Sequence, residues 1–298
     1  MERELTIKEA AVLPNYSAVR KELLSKLPVS ERWLNLAGIP TAVLEGGEGK
    51  PVILLHGPGE FAATWMRVIP GLVATHRVIA PDLPGHGESG TGHKPLNANR
   101  IIDWLGELID QTCSSPPVLA GHLLGGAIGL RFAARYSGRL QHLVLVDSFG
   151  LGKFRPSLKF AFAMFGFIAK PTSRTQDRLF RRCFVDYDGL QHEMKKDFEL
   201  IKTYALERAR TGELKTALRS LMPEFALKPV PPEDLRKIKT PVSMIWGRHD
   251  LQVRLQIAQS ASANYAWPLH IIENAADDPA FEEPEAFIHA MRAPLDNA

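Results

Sequence analysis

Four short segments of the chain combine glycine with polar side chains, and each follows a short apolar run. In chain order they are residues 55–59 (LHGPG), 82–89 (DLPGHGES), 121–126 (GHLLGG) and 246–250 (WGRHD). The carboxyl and imidazole groups in them are side chains that accept and donate protons in catalysis. One glycine-rich turn occurs in any doubly wound fold, whereas four in this order, each after a predicted buried strand, indicate one specific fold.

The four segments resemble the motifs of the α/β-hydrolase family, in its cap-bearing branch of esterases, lactonases and C–C hydrolases. The resemblance covers about residues 31–291. It implies an oxyanion loop at the first segment, a nucleophile-bearing turn at the third and a catalytic acid at the fourth. The alternative is a Rossmann-like nucleotide fold, which is disfavoured because no G-x-G-x-x-G segment follows the first parallel strand.

The third segment places Leu123 where the family has its nucleophilic serine. In the family the glycines of this turn let helix and strand approach, and the central side chain projects into the pocket. Leucine has no lone pair and cannot attack a carbonyl carbon. The resemblance therefore implies that the acyl-enzyme route of the family is closed at its first step.

The general base of the family is a histidine in the loop after the last strand. The matching position holds Asp277, with Ala276 in place of the preceding glycine. His270 and His289 are the nearest histidines, and both fall inside predicted elements and are interpreted as structural. A carboxylate can accept a proton, but its ordinary pKa of ~3.9 makes it a weak base near neutral pH.

The oxyanion loop also departs from the family pattern. The resemblance implies one N–H donor from Leu124 and a second from the residue that follows the His-Gly pair, which is Pro58. Proline has no N–H, so Gly59 would have to replace it in a shifted loop. The predicted oxyanion and pocket residues are Gly57, Pro58, Gly59, Leu123 and Leu124.

Of the family's catalytic triad of nucleophile, base and acid, only the acid has a matching residue in this sequence, Asp250. Asp147, which follows an earlier strand, is the alternative acid; we favour a structural cap there, because residues 246–250 match the acid-bearing motif. If Asp250 and Asp277 converge as acid and base do in relatives, two carboxyl groups share a pocket. Like charges then raise one pKa, which creates a protonated hydrogen-bond donor or a tuned base.

The remaining histidines give no sign of a metal site. His56 and His86 lie in motif turns and are predicted to bond backbone, and His122 is predicted to point away from the pocket into packing. Ligand patterns such as H-x-x-x-H or H-E-x-x-H are absent from the sequence. No metal and no cofactor is predicted.

Short, continuously apolar runs precede the four segments and predict strands buried on both faces of a parallel sheet. Helix-compatible stretches between them predict right-handed crossovers, and the resemblance implies eight strands, mostly parallel, flanked by helices. After Gly150 the alternation stops for about ninety residues of helical pattern and then resumes. The predicted organisation is a helical arm at 1–30, a core at 31–150 and 233–298, and a helical cap at 151–232, inserted after the sixth strand.

Composition narrows the classes of function. The 298 residues carry 36 Lys and Arg against 33 Asp and Glu, and their signs look interleaved, which disfavours nucleic acid as a partner. Two cysteines give no disulfide framework, and the first residues lack the apolar core of an export signal, so the cytoplasm is predicted. The apolar run at 160–169 is shorter than the ~20 residues of a bilayer span. The Phe-rich run at 158–168 is predicted to pack rather than to anchor in lipid, with some phenylalanines walling a pocket for an apolar ligand.

These observations favour an α/β-hydrolase-fold protein that lacks the Ser-His pair. We expect it to bind a small apolar molecule with a carbonyl or ester group in a capped pocket. Two alternatives stay open: a serine-independent lyase, isomerase or cyclase that moves protons with Asp250 and Asp277, and a weak residual ester or C–C hydrolase.

Overall fold

The strands at the centre of the molecule are buried along nearly their whole length, as their apolar runs predict. The structure is a computed structural model and describes residues 18–136 and 138–296. Eight strands form one sheet in the order β1-β2-β4-β3-β5-β6-β7-β8. They are Ser30–Leu36 (β1), Ile39–Gly46 (β2), Pro51–Leu55 (β3), Arg77–Pro81 (β4), Val118–His122 (β5), His142–Val146 (β6), Val242–Gly247 (β7) and Leu269–Ile272 (β8).

The sheet is mixed only at one edge. β2 pairs antiparallel with β1 and with β4, and every other neighbouring pair is parallel. Along β3, Ile53 and Leu55 join one apolar cluster while Val52 and Leu54 join another, because alternate side chains of a strand point to opposite faces. Both faces are therefore covered. The predicted mostly parallel, eight-stranded fold is confirmed.

Helices cover both faces and follow the strands in chain order. A 3₁₀ helix spans Ala62–Arg67. The α-helices are Ala18–Leu24 (α1), Ile69–Val73 (α2), Ala98–Thr112 (α3), Leu124–Arg135 (α4), Leu158–Ala169 (α5), Ser173–Cys183 (α6), Tyr187–Met194 (α7), Lys196–Ala209 (α8), Gly212–Phe225 (α9), Pro232–Leu235 (α10), Leu255–Tyr265 (α11), Pro279–Glu282 (α12) and Pro284–Asp296 (α13).

Six of these helices, α5 to α10, lie between β6 and β7. The helical pattern of the sequence predicts α5, α6, α8 and α9 and misses α7 and α10. Helix α7 is separated from α8 only by Lys195, at a φ of 50°. The division of the chain into arm, core and cap stays a prediction. Of the predicted arm, residues 1–17 lie outside the described part of the chain.

Helix α1 is tied to the rest of the molecule by a buried arginine. Arg20 is only 1% exposed, and its guanidinium lies 2.8 Å from the carboxylate of Asp82 and 2.5 Å from that of Glu31. It also donates to the Tyr204 hydroxyl at 3.2 Å, and that hydroxyl donates to Glu88 at 2.7 Å. One side chain thus joins α1, β1, the turn after β4 and α8.

Replacement of Arg20 by methionine is expected to lower the free energy of unfolding by about 3 kcal/mol, because Asp82 stays buried without its cation. Urea unfolding at neutral pH measures the change. The matched control is Lys26→Ala, which removes the exposed ion pair between Lys26 and Asp197 and should cost about 0.5 kcal/mol. Equal losses in the two variants would contradict a special role for Arg20.

Candidate functional site

The turn between β5 and α4 holds its central residue in a strained conformation. Leu123 has φ 44° and ψ −100°, a region that non-glycine residues rarely adopt. A Cβ atom added to Gly125 would lie 2.3 Å from the carbonyl oxygen of Leu55, and one added to Gly121 would lie 2.5 Å from the backbone of Gly125. The N-terminus of α4 can approach the strands this closely only because both positions are glycine.

The side chain of Leu123 lines a cavity of about 250 Å³. Most of the cavity wall is apolar and comes from the helices between β6 and β7; it includes Phe160, Phe167, Phe180, Phe198, Ile201 and Leu214. The polar lining comes mainly from loops at the carboxyl ends of the strands and includes Glu60, Gln252, Asp277 and Asp278. The cavity therefore has an apolar body with a cluster of acidic and amide groups beside Leu123.

The predicted site residues are only partly brought to this cavity. Pro58, Gly59, Leu123 and Asp277 line it. Three others do not line it: Gly57, Leu124 and Asp250. The N–H of Gly57 donates to Glu60 Oε2 at 2.6 Å, so it is already engaged. The oxyanion roles of Gly59 and Leu124 stay predictions.

Asp250 and Asp277 meet through a third residue. The backbone N–H of Gln252 donates to Asp250 Oδ1 at 2.6 Å, and its side-chain amide donates to Asp277 Oδ1 at 2.7 Å. Both carboxyl groups are buried. The two acids therefore approach each other indirectly, with Gln252 between them. The side-chain amide of Gln252 orients the Asp277 carboxyl group.

Asp147 belongs to the same buried acidic group. Its Oδ1 accepts from the N–H of Gly247 on β7 at 3.0 Å, rather than from the segment that follows it in the chain. Burial, followed by the charges of Asp250 and Asp277, raises its pKa well above the ordinary value. Among the described residues, Oδ2 of Asp147 and Oδ2 of Asp250 have no hydrogen-bond partner. The sequence identified Asp147 and Asp250 as candidate acids but did not predict that they lie in one buried group.

His122 does not line the cavity, as predicted, but it is held by polar partners rather than by packing alone. Its Nδ1 donates to Glu60 Oε2 at 3.2 Å and its Nε2 to the carbonyl oxygen of Asp277 at 2.6 Å. Burial lowers the pKa of His122, but the charges of Glu60 and Asp278 outweigh burial and raise that pKa to about 10. The pKa of Glu60 is lowered, because the charge of His122 outweighs its burial. The two form an ion pair in which Glu60 lines the cavity and His122 lies behind it.

Glu60, His122 and Asp278 are also the residues that could hold a cation. Each contributes one ligand atom, and these atoms lie within 4.8 Å of one another. Imidazole and carboxylate are common ligands of divalent transition metals. The spacing of these residues in the sequence predicted no metal site, because they come from three distant segments. Each of the three side chains has a hydrogen-bond partner among the described residues: His122 pairs with Glu60, and Asp278 accepts from the N–H of Phe281.

The carboxyl groups at and beside the cavity have raised pKa values, so they stay protonated at a higher pH than ordinary carboxyl groups do. Burial raises the pKa of Asp277 to about 6 and that of Asp278 to about 7. Burial likewise raises the pKa of Glu282, which accepts from the N–H groups of Val185 and Ala276, to about 8. Sequence reasoning missed Glu60 and Asp278; the one available signal was that each directly follows a predicted site segment.

A family described as the alpha/beta hydrolase family matches residues 52–290. The chain belongs to the α/β-hydrolase family. It is 28% identical over 274 residues to the 2-hydroxy-6-oxo-6-(2'-aminophenyl)hexa-2,4-dienoic acid hydrolase of Metapseudomonas resinovorans, covering 87% of this chain and 89% of that protein. It is 30% identical over 221 residues to a dihydrolipoyllysine-residue acetyltransferase component from Pseudomonas putida, covering 74% of this chain but only 55% of that relative.

Solved structures share the fold of this α/β-hydrolase chain. The meta-cleavage product hydrolase of Pseudomonas fluorescens IP01 superposes with a TM-score of 0.75 at 23% identity, over 90% of this chain and 98% of the other. Carboxylesterase CesB of Bacillus subtilis superposes with a TM-score of 0.80 at 18% identity, over 94% of this chain and 96% of the other. Within the described residues, no helix combines the length and apolarity needed to cross a bilayer.

Replacement of Asp278 by asparagine is expected to stabilise the protein at neutral and alkaline pH but not at acid pH. Because its folded pKa is raised above the unfolded value, ionisation of Asp278 costs stability progressively as pH rises from about 4 to about 7. The gain should reach about 4 kcal/mol at about pH 8.5 and be near zero at about pH 4. Urea unfolding at the two pH values measures it. A gain that is the same at both would contradict the raised pKa.

Proposed function

We propose that this member of the α/β-hydrolase family binds a small, neutral, apolar molecule with a carbonyl group and does not cleave it through an acyl-enzyme. The observation that carries the proposal is Leu123, which occupies the strained turn after β5 and lines the cavity. A leucine there offers apolar contact to a ligand but no nucleophile.

The shape of the cavity supports an apolar ligand with one polar group. Phenylalanine and aliphatic side chains form most of the wall, and such linings favour apolar ligands oriented by a few polar contacts. Asp277 and Asp278, with pKa values of about 6 and about 7, are the contacts at the polar end. A protonated carboxyl group donates a hydrogen bond to a carbonyl oxygen. We include residues 151–232 in the proposal as the cap that supplies the apolar wall.

The charge at the polar end favours a neutral ligand. Among the cavity-lining residues that the structure describes, Lys215 is the one basic side chain, whereas Glu60, Asp277 and Asp278 are acidic. The relative from Metapseudomonas resinovorans is named for a dienoic acid, and the carboxylate of such a compound would meet these acids unfavourably. The two cysteines, Cys113 and Cys183, are free, in keeping with the cytoplasm as the proposed location.

A second candidate function is a serine-independent lyase, isomerase or cyclase. The observation that favours it is the carboxyl group of Asp277, which lines the cavity, is oriented by Gln252 and has a pKa of about 6. A general base is most effective when its pKa lies near the working pH. Turnover of any bound ligand that is lost in Asp277→Ala would establish this candidate over the simple binder.

Purified protein is expected to resist a fluorophosphonate probe, because such probes label an activated serine and position 123 offers none. The variant with Leu123→Ser and Asp277→His together is expected to gain probe labelling and hydrolysis of short p-nitrophenyl esters. The single variants Leu123→Ser and Asp277→His are the controls and should stay inactive. Labelling of the unaltered protein in the cavity would contradict the proposal, and an inactive but folded double variant would contradict the proposed triad positions.

Binding of a neutral ketone is expected to weaken as pH rises through the pKa values of Asp277 and Asp278. Above about pH 8 both groups are ionised and repel a carbonyl oxygen, so the affinity should fall about tenfold from its value at about pH 5. Fluorescence titration with the naphthyl ketone Prodan measures it. The control ligand is Prodan without its acyl group, and its affinity should be the same at both pH values. If the Asp277→Asn and Asp278→Asn double variant keeps the full pH dependence, these residues are not the donors.

A further inference from the structure

Helix α5 exposes a continuous apolar stripe. Leu158 and Phe162 are each 78% exposed, Phe165 is 63% exposed and Ile168 is 55% exposed. The spacing of the first three, at i, i+4 and i+7, places them on one side of the helix. Of the six large apolar side chains most exposed in the described chain, four are on this single helix. Contiguous exposed apolar surface of this kind marks an interaction site.

The side of α5 opposite the stripe lines the cavity. Phe160, Met164 and Phe167 project from it into the cavity wall, roughly opposite the stripe. Ile168 belongs to both the cavity wall and the exposed stripe, since it lines the cavity and is more than half exposed. The prediction that this run serves packing rather than lipid contact is therefore correct for one side of the helix only.

Basic residues surround the stripe. Between positions 153 and 182 the chain carries eight Lys and Arg and one acid, a net charge of +7 in a protein whose total is +3. Lys153 and Arg155 precede α5, Lys159 lies in its first turn and Lys170 directly follows it, and all four are exposed. None of these four forms an ion pair with a described residue. The prediction that charges are interleaved is wrong for this stretch.

We propose that α5 is an interfacial anchor that seats this side of the molecule on an anionic lipid surface. An amphipathic helix with aromatic residues on one face and lysines beside them lies in the plane of the membrane interface. Basic residues next to it are attracted by anionic headgroups. With 12 residues, α5 is too short to span a bilayer, which needs about 20, so it lies on the surface rather than across it.

The charge argues for lipid over a second copy of the same protein. A symmetric dimer through the stripe would bring together the exposed Lys153, Arg155, Lys159 and Lys170 of two copies, and like charges across an interface are unfavourable. An anionic surface instead complements both the apolar stripe and the lysines. This inference goes beyond the proposed ligand binding and does not depend on it.

Vesicle flotation tests the proposal. The protein is expected to float with vesicles of phosphatidylcholine mixed with phosphatidylglycerol and to bind vesicles of phosphatidylcholine alone much more weakly. Phe162→Ser with Phe165→Ser should weaken binding to the mixed vesicles about tenfold through lost apolar burial. Lys159→Glu with Lys170→Glu should weaken it by about tenfold or more, since each basic residue near the surface adds attraction.

Two exposed residues away from the stripe provide matched controls. Leu227→Ser removes a side chain that is 57% exposed beyond α9, and Lys50→Glu reverses an exposed charge before β3, at the opposite end of the strands from the cavity. Both should keep the binding of the unaltered protein, and circular dichroism checks that every variant is folded. Phe162→Trp should show a blue-shifted emission when mixed vesicles are added.

Three outcomes would overturn the proposal. The unaltered protein could fail to float with either vesicle. The two serine substitutions could leave flotation unchanged, which would place any lipid contact elsewhere. Light scattering could show a dimer that Phe162→Ser with Phe165→Ser converts to a monomer, together with no lipid binding, which would assign the stripe to a second copy of the chain.

Discussion

The arrangement of the site depends on one close contact, between the start of α4 and the strands beside it. Gly125 lies so near the carbonyl oxygen of Leu55 that no side chain fits, and Gly121 is packed as closely against Gly125. This contact forces Leu123 into its positive-φ conformation and directs its side chain to the cavity. The backbone therefore presents whichever residue stands at position 123, and the chemistry of that side chain decides what the site can do.

A single imidazolium offsets part of a large buried negative charge. His122 pairs with Glu60 and lowers its pKa, yet burial still raises the pKa values of Asp277 and Asp278 toward neutrality. The pKa of Asp147 is also raised well above its ordinary value, by burial and by the neighbouring carboxyl groups. Ionising all of these groups together would leave several buried negative charges around one cation. Protonation of several of these carboxyl groups avoids that cost, and under the proposed function their protons are the donors to a carbonyl ligand.

Local patterns predicted the sheet and the turns, because a buried strand is a continuous apolar run and a close approach needs glycine. The cluster of Glu60, His122 and Asp278 could not be predicted, since it forms only when three distant segments meet. The same holds for Gln252, whose link between two acids depends on the path of the chain after β7. Local patterns do not predict helix α11, LQIAQSASANY, because three of its six apolar residues are alanine, which marks a buried face only weakly.

Leu123 and Asp277 are two departures from the family pattern that make sense only together. A serine needs a base to take its proton, and a histidine base needs a carboxylate to orient it. With leucine at position 123 no proton is transferred there, so a histidine at position 277 would have nothing to activate. It would also add a second imidazole close to His122, whose own positive charge would disfavour its protonation. An aspartate instead accepts the amide of Gln252 and gains from the nearby charge of His122. Under the proposed function, a site without a nucleophile at position 123 has no need of a histidine at position 277, and the electrostatics of the cavity favour a carboxyl group there.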